Sequence, residues 1–287
     1  MIGNKARKYM DNKFGVMQGR LLPKYQGRYQ AHPKGYWQDE FLKAKEFGLD
    51  CIEFILDFND VNKNPLLNKH GVSEILKLSN ETGVAIKTVC ADYLIEAPLH
   101  SIEESIAKKS LKILRKLIGS AVIMNITDIV IPCVDQSTLR ESGAFERFIV
   151  QIKKIIPTIE KHNINLSLET DLAPKPFVKL LNSLDSKRIT VNYDIGNSAS
   201  LGFDSISELD AYGERISDIH IKDRLLNGGP VKLGDGSADF VKFFTKLKEF
   251  NYKGPFIMQA YRDNEGLEIF KAQLLWIKKV MKNSYEN

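Results

Sequence analysis

The chain predicts a single (β/α)8 barrel, and three observations carry that prediction. Short β-branched runs recur along its 287 residues, beginning near Phe14, Cys51, Ala85, Asp128, Asn165, Thr190, Asp218 and Gly254, at intervals of between 25 and 43 residues. Runs of this composition read as strands buried on both faces. Between them the apolar period becomes helical: Phe148, Ile152, Ile155, Ile156 and Ile159 form one stripe, and Phe240, Phe243, Phe244, Leu247 and Phe250 another. Ile102, Ile106, Ile113 and Leu117 repeat the pattern, as do Phe270, Leu274, Ile277 and Met281. Finally, no Gly-x-Gly-x-x-Gly follows the first run, where a doubly wound dinucleotide-binding sheet would normally carry one.

Barrels of this kind commonly run to about 250 residues as one domain. No linker rich in Pro, Gly or Ser divides the chain, so residues 1–287 read as one domain. The first strand is followed by an irregular connection. From Gln18 to about Gly35 the segment holds Gly19, Pro23, Gly27 and Pro33, too many turn formers for a helix. A long loop at the carboxyl end of a barrel strand reads as a lid over a binding site. Gln18 and Arg20, at its start, are candidate substrate-binding residues.

Composition excludes several classes. With 43% hydrophobic and 27% charged residues the chain can bury a large core. Its net charge of +5 comes largely from scattered lysines of helix faces and is compatible with a small anionic substrate. Basic residues do not alternate with aromatics in a long strip, so no nucleic-acid partner is expected. The apolar stretch from Leu117 to Val134 is broken by Asn125, Thr127 and Asp128, so no membrane span is expected. Cys51, Cys90 and Cys133 are widely spaced and lie in or beside apolar runs, which suits buried thiols in a reducing, cytoplasmic setting.

Chemistry gathers at the ends of the later runs. Glu169, Asp194, His220 and Gln259 each close one, in Ile-Asn-Leu-Ser-Leu-Glu, Ile-Thr-Val-Asn-Tyr-Asp, Ile-Ser-Asp-Ile-His and Gly-Pro-Phe-Ile-Met-Gln. In a parallel barrel all carboxyl ends open on one face, so these four residues are candidate metal ligands on a single rim. Two carboxylates and an imidazole suit Mn²⁺, Mg²⁺, Co²⁺ or Zn²⁺ with positions left open for substrate oxygens. No thiolate belongs to the set, which argues against a closed structural zinc site. Further polar residues stand at neighbouring strand ends. Glu53 and Asp92 are candidate bases, and Asp92, His100, Asn197, Lys222, Arg224 and Arg262 are candidate substrate-binding residues, the cations for a phosphate or an acidic sugar.

Met17-Gln18-Gly19-Arg20, Cys51-Ile52-Glu53-Phe54, Ser167-Leu168-Glu169, Asp194-Ile195-Gly196-Asn197, His220-Ile221-Lys222-Asp223-Arg224 and Gly234-Asp235-Gly236, in this order, resemble the xylose isomerase-like TIM barrels of the sugar phosphate isomerase/epimerase group. The resemblance runs from about Phe14 to Met281. It implies a divalent metal held by Glu, Asp, His and Glu from strands five to eight, matching Glu169, Asp194, His220 and Gln259. It also implies a pocket role for Glu53, and places Asn197 where some ketose epimerases of the family carry a substrate-gripping His. Family members often form dimers or tetramers, so the resemblance allows a homo-oligomer.

Gln259 departs from the family pattern. Epimerases of the group use the first and last Glu as opposed bases, and a carboxamide accepts no proton in that way, although its carbonyl oxygen still ligates a cation. Glu169 therefore remains as a candidate base, with Glu53 or Asp92 as a second. The resemblance implies a metal-dependent isomerase or epimerase acting on a small sugar or sugar phosphate through a metal-stabilised enediolate. Two alternatives are a lyase of the keto-inositol dehydratase type and a sugar- or metal-binding barrel impaired by Gln259. Apurinic-site endonucleases share the barrel but need a His-rich three-zinc cluster, and this chain has five His in all.

Overall fold

The computed structural model describes residues 12–262 and 266–286. Eight parallel strands close into a barrel: β1 (Phe14–Met17), β2 (Cys51–Ile55), β3 (Thr88–Cys90), β4 (Asp128–Cys133), β5 (Asn165–Thr170), β6 (Ile189–Asp194), β7 (Ile216–Ile221) and β8 (Phe256–Met258). Each strand pairs with its sequence neighbours, and β1 closes the ring on β8 with Phe14 opposite Phe256. The expected third run is shorter than its composition suggests. Ala85 makes only an isolated parallel bridge to Cys51 before regular pairing begins at Thr88.

Helices surround this ring. Those preceding β3, β4 and β5 stop where Gly83, Asn125 and Asn163 take positive φ, a left-handed cap that ends each helix and turns the chain back. The predicted stripes Phe240, Phe243, Phe244, Leu247 and Phe270, Leu274, Ile277, Met281 are buried against the barrel. Two stripes are corrected. Ile102 lies before helix Glu104–Met124 and is 82% exposed; the buried face there is built by Ala107, Leu111, Leu114, Leu117 and Ile118. The Phe148–Ile159 stripe spans two helices, Ala144–Lys153 and Ile156–His162, with buried Ile155 at the break. All three cysteines are free and buried, and among the described residues no helix is long and apolar enough to cross a membrane.

Side chains of a strand alternate between its two faces, and this alternation divides the core in two. Outward residues meet the helices in one large cluster. Inward residues Met17, Cys51, Ile55, Cys90, Val130 and Ile257 form a smaller apolar plug inside the ring. On the side of β5, β6 and β7 the inward positions are polar instead: Ser167 and Glu169, Asn192 and Asp194, Asp218 and His220. Ser167, Thr190 and Ser217 share hydroxyl hydrogen bonds of 2.7–2.9 Å, and Ser167 also donates to Asp128. The barrel interior is thus most polar along β5, β6 and β7, and Glu53 of β2, Thr88 of β3 and Asp128 of β4 are buried polar residues among the apolar ones.

The segment after β1 packs as an anchored lid. Tyr25 and Arg28 close a tight hairpin, with Gln26 and Gly27 at positive φ as such a turn requires. Of the three glycines in this segment, Gly19 is the one where close approach excludes a side chain, since a Cβ there would lie 2.0 Å from the Tyr29 carbonyl oxygen. Under the lid, the fully buried Glu40 carboxylate accepts the backbone N–H groups of Gly19 and Leu21. Burial pushes Glu40 up to about 7, although those N–H bonds favour its ionised form.

A folded-state value raised from 4.5 to about 7 means the folded chain keeps a proton that the unfolded chain has released, so the stability Glu40 contributes falls as pH rises through that window. Urea denaturation should therefore show the stability of the unmodified protein, relative to Glu40→Gln, declining from pH 5 to pH 7. A difference independent of pH would contradict this account. Glu40→Ala, which strands two buried N–H donors, should cost about 2–4 kcal/mol.

Candidate active site

Donor atoms of Glu169, Asp194 and His220, from the carboxyl ends of β5, β6 and β7, lie within 4.8 Å of one another. The side chains reach this point because Asp194 and His220 are register partners across β6 and β7, and Glu169 occupies the equivalent inward position on β5. His220 Nδ1 is 3.8 Å from Glu169 Oε2 and 3.9 Å from Asp194 Oδ2. On its far side, His220 Nε2 sits 2.8 Å from Glu53 Oε1. A proton on Nε2 donated to Glu53 leaves Nδ1 to face the two carboxylates. This is the arrangement by which a second carboxylate fixes the tautomer of a metal-ligating histidine.

Asn192, two residues before Asp194, completes the cradle: its Nδ2 lies 3.1 Å from His220 Nδ1 and 3.3 Å from Glu169 Oε2. Glu169 Oε1 accepts from Asn197 Nδ2 at 2.7 Å. Asp194 Oδ1 accepts the Asn197 N–H and so caps the short helix that follows β6, while Lys222 Nζ lies 3.3 Å from Asp194 Oδ2. Gln259 follows β8; its Nε2 donates to Gln30 Oε1 at 2.7 Å, and its own Oε1 is buried without a partner among the described residues.

The electrostatics ask for positive charge. Burial disfavours a charged His220 ring, yet Glu53, Glu169 and Asp194 outweigh it and raise the imidazole to about 9. Burial, with Asp194 nearby, pushes Glu169 up to about 7. Glu53 is pushed up by burial but held below its usual range by His220, whereas Asp218 is driven well above its range by burial and by Glu53. Glu53, Asp218 and His220 also converge, but Glu53 and Asp218 are fully buried and do not line the open cavity, whereas Glu169 does. The donor set that reaches the cavity, through Glu169, is Glu169, Asp194 and His220, and the unpartnered Gln259 oxygen suits a fourth oxygen donor. Hard oxygen donors with one imidazole fit a divalent cation.

Above these residues opens a polar cavity of about 480 Å³, lined among others by Asp92, Glu169, Asn197, Lys222, Arg224 and Gln259. Lys222 Nζ and Arg224 Nη1 both donate to Asn197 Oδ1, so the amide that holds Glu169 is itself fixed by two cations. Across the mouth, Arg140 pairs with Asp171 at 2.6 Å.

Several expected site residues serve other ends. Glu53 does not line the cavity, because its carboxylate is fully buried behind His220. Gln18 is turned into the barrel wall, where its Oε1 accepts the Ile55 N–H and meets His32 Nδ1. Arg20 donates to the Ala260 carbonyl and to Gln30 Oε1. Arg262 stacks on the Tyr29 ring with 4.4 Å between guanidinium and ring centre, and donates to the Arg20 carbonyl. His100 is buried against Phe148, and burial lowers it to about 4. These last four residues hold the lid and flanking loops. Asn192 and Asp218 were missed, although polar residues two positions before Asp194 and His220 in apolar runs signal the same inward face. Gln30, Arg140 and Asp171 sit in loops and gave no such signal.

A family model described as xylose isomerase-like TIM barrel matches residues 41–280. The chain belongs to that family. It is similar to the L-ribulose-5-phosphate 3-epimerase UlaE of Salmonella heidelberg, 27% identical over 270 residues that cover 87% of this chain and 92% of the relative. Among solved structures, 3-keto-D-glucoside 4-epimerase YcjR from E. coli superposes with a TM-score of 0.73 at 17% identity, covering 93% of this chain and 99% of that one. A xylose isomerase-like TIM barrel protein from Mycobacterium smegmatis in complex with magnesium gives 0.72 at 18% identity, covering 97% and 99%. The structural likenesses show the fold.

Glu53→Gln keeps the shape of the residue behind His220 but removes its charge. Calorimetric titration with Mn²⁺ should then show affinity weakened about 10- to 100-fold. Unchanged affinity would mean that Glu53 does not orient the imidazole.

Proposed function

We propose that the protein is a divalent-cation-dependent epimerase or isomerase of a small ketose or ketose phosphate. The observation that carries this reading is the convergence of Glu169, Asp194 and His220 within 4.8 Å, with Glu169 and the unpartnered Gln259 lining a polar cavity. A cation bound there would polarise a substrate carbonyl and acidify the adjacent C–H. Glu169, at the cavity edge of the cradle, takes that proton; the Asn192 and Asn197 amides hold its two oxygens in place. Lys222 and Arg224 give one wall of the cavity positive charge, which suits a phosphate or several hydroxyl groups. The Salmonella relative is a ketose-phosphate 3-epimerase, which supports inversion at carbon over loss of water.

Metal analysis of the purified protein should find a stoichiometric divalent ion, lost from Glu169→Gln and His220→Ala. Incubation in D₂O with ketoses and ketose phosphates, L-ribulose 5-phosphate among them, should place deuterium on the carbon next to the carbonyl. Stoichiometric metal retained in both variants would overturn the ligand assignment, and no deuterium in any ketose would overturn the reaction class.

A further inference from the structure

The proposed reaction leaves a gap, because inversion requires proton transfer on two faces of one carbon and Gln259 carries no transferable carboxyl proton. The carboxylates that line the cavity differ in what holds them. Asp171 is tied to Arg140 and to the Thr138 hydroxyl. Asp135 is exposed. Asp92, just beyond β3, is 9% exposed, and both of its hydrogen-bond partners among the described residues are neutral: Gln30 Nε2 at 3.1 Å on Oδ2 and the Cys90 thiol at 2.9 Å on Oδ1. A carboxyl so held keeps its freedom to carry or release a proton.

Its position is set by the lid. Gln30 donates to Asp92 with its amide nitrogen and accepts from Gln259 Nε2 and Arg20 Nη2 with its oxygen. One glutamine of the lid thereby bridges β3 to β8, across the half of the barrel formed by β8, β1, β2 and β3. Glu169 stands on the other half, held by residues of β6 and of the helix after it. Asp92 and Glu169 therefore enter the cavity from β3 and β5, on either side of β4, each held by its own partners, with Gln259 joined to Asp92 through Gln30. We propose that Asp92, oriented by Gln30, is the proton-transfer group that serves the substrate face opposite Glu169. This inference rests on the proton-transfer reading of the site. Burial raises Asp92, which is in keeping with a group that carries a proton.

The step balances with no further reactant. Glu169 removes the proton from the carbon next to the carbonyl; the C–H pair becomes the carbon–carbon double bond of an enediolate, and the carbonyl π pair moves onto oxygen. Asp92 in its acid form then gives its proton to the opposite face of the same carbon, where the double-bond pair makes the new C–H bond and the carbonyl re-forms. Glu169 ends protonated and Asp92 ionised, and exchange with water restores both. In the reverse direction the two residues trade roles. Gln30 touches no reacting atom and acts as a positioning residue.

The test is deuterium uptake by Mn²⁺-loaded protein in D₂O from L-ribulose 5-phosphate and, separately, from its C3 epimer. In Asp92→Asn the epimer whose C–H faces Glu169 should still take up deuterium, the other should not, and inversion should fall at least about 100-fold, in the range of a lost acid–base group. Gln30→Ala should lower kcat for inversion while KM changes less than about threefold. Inversion by Asp92→Asn within about threefold of the unmodified protein would overturn the proposal, as would equal loss of exchange from both epimers with metal still bound. Absence of exchange in the unmodified protein would remove the reading of the site itself and the role of Asp92 with it.

Discussion

The 2.8 Å contact between Glu53 and His220 Nε2 is the interaction on which the rest of the site depends. It spends a buried carboxylate on one nitrogen of the ring, and in doing so presents the other nitrogen to Glu169 and Asp194. Burying acids in this way is costly unless positive charge joins them. In the protein alone a proton on His220 supplies part of that charge, which is why the imidazole rises to about 9 against the effect of its own burial. A divalent ion bound there would answer the same demand more fully, and its binding would release the proton. The polar side of the barrel interior is the structural counterpart: β5, β6 and β7 devote two successive inward positions each to polar groups, while the other strands contribute Met17, Ile55, Val130 and Ile257.

The lid follows from a second buried acid. Glu40 lies on the helix after the lid and reaches back to the first turn of it, so that the Gly19 backbone is fixed where only glycine fits. From that anchor the chain runs through Arg20, which bonds the Ala260 carbonyl beyond β8, to Gln30, which spans Asp92 and Gln259. Arg28 pairs with Asp57 at 2.9 Å and pins the hairpin over β2. Residues that read as substrate ligands from their place at a strand end, Gln18, Arg20 and Arg262, are the struts of this lid. Its function is conveyed through Gln30, a residue with no position in any strand pattern.

What could be read from the sequence follows the regularity of the element concerned. Continuous β-branched runs and the period-3.6 stripes between them marked all eight strands and the main helical faces, since burial on both faces of a barrel strand writes itself directly into residue type. The rim position of Glu169, Asp194 and His220 was legible for the same reason. Ile102 was misread because a stripe continued past the start of its helix, and sequence carries little to mark that boundary where Glu103 forms no side-chain cap. Glu53 was recognised as important but placed in the pocket; its true station behind His220 depends on contacts between residues 167 apart in sequence. Arg140, Asp171 and Gln30 depend on loop paths, which no periodicity encodes.

The proposed function requires one divalent ion held by donors from four late strands. Anomalous diffraction from crystals grown with Mn²⁺ tests it most directly. The account predicts a single strong peak at about 2.0–2.3 Å from Glu169, Asp194, His220 Nδ1 and the Gln259 carbonyl oxygen. A peak elsewhere, or coordination of that ion through His220 Nε2 with Glu53 displaced, would contradict it.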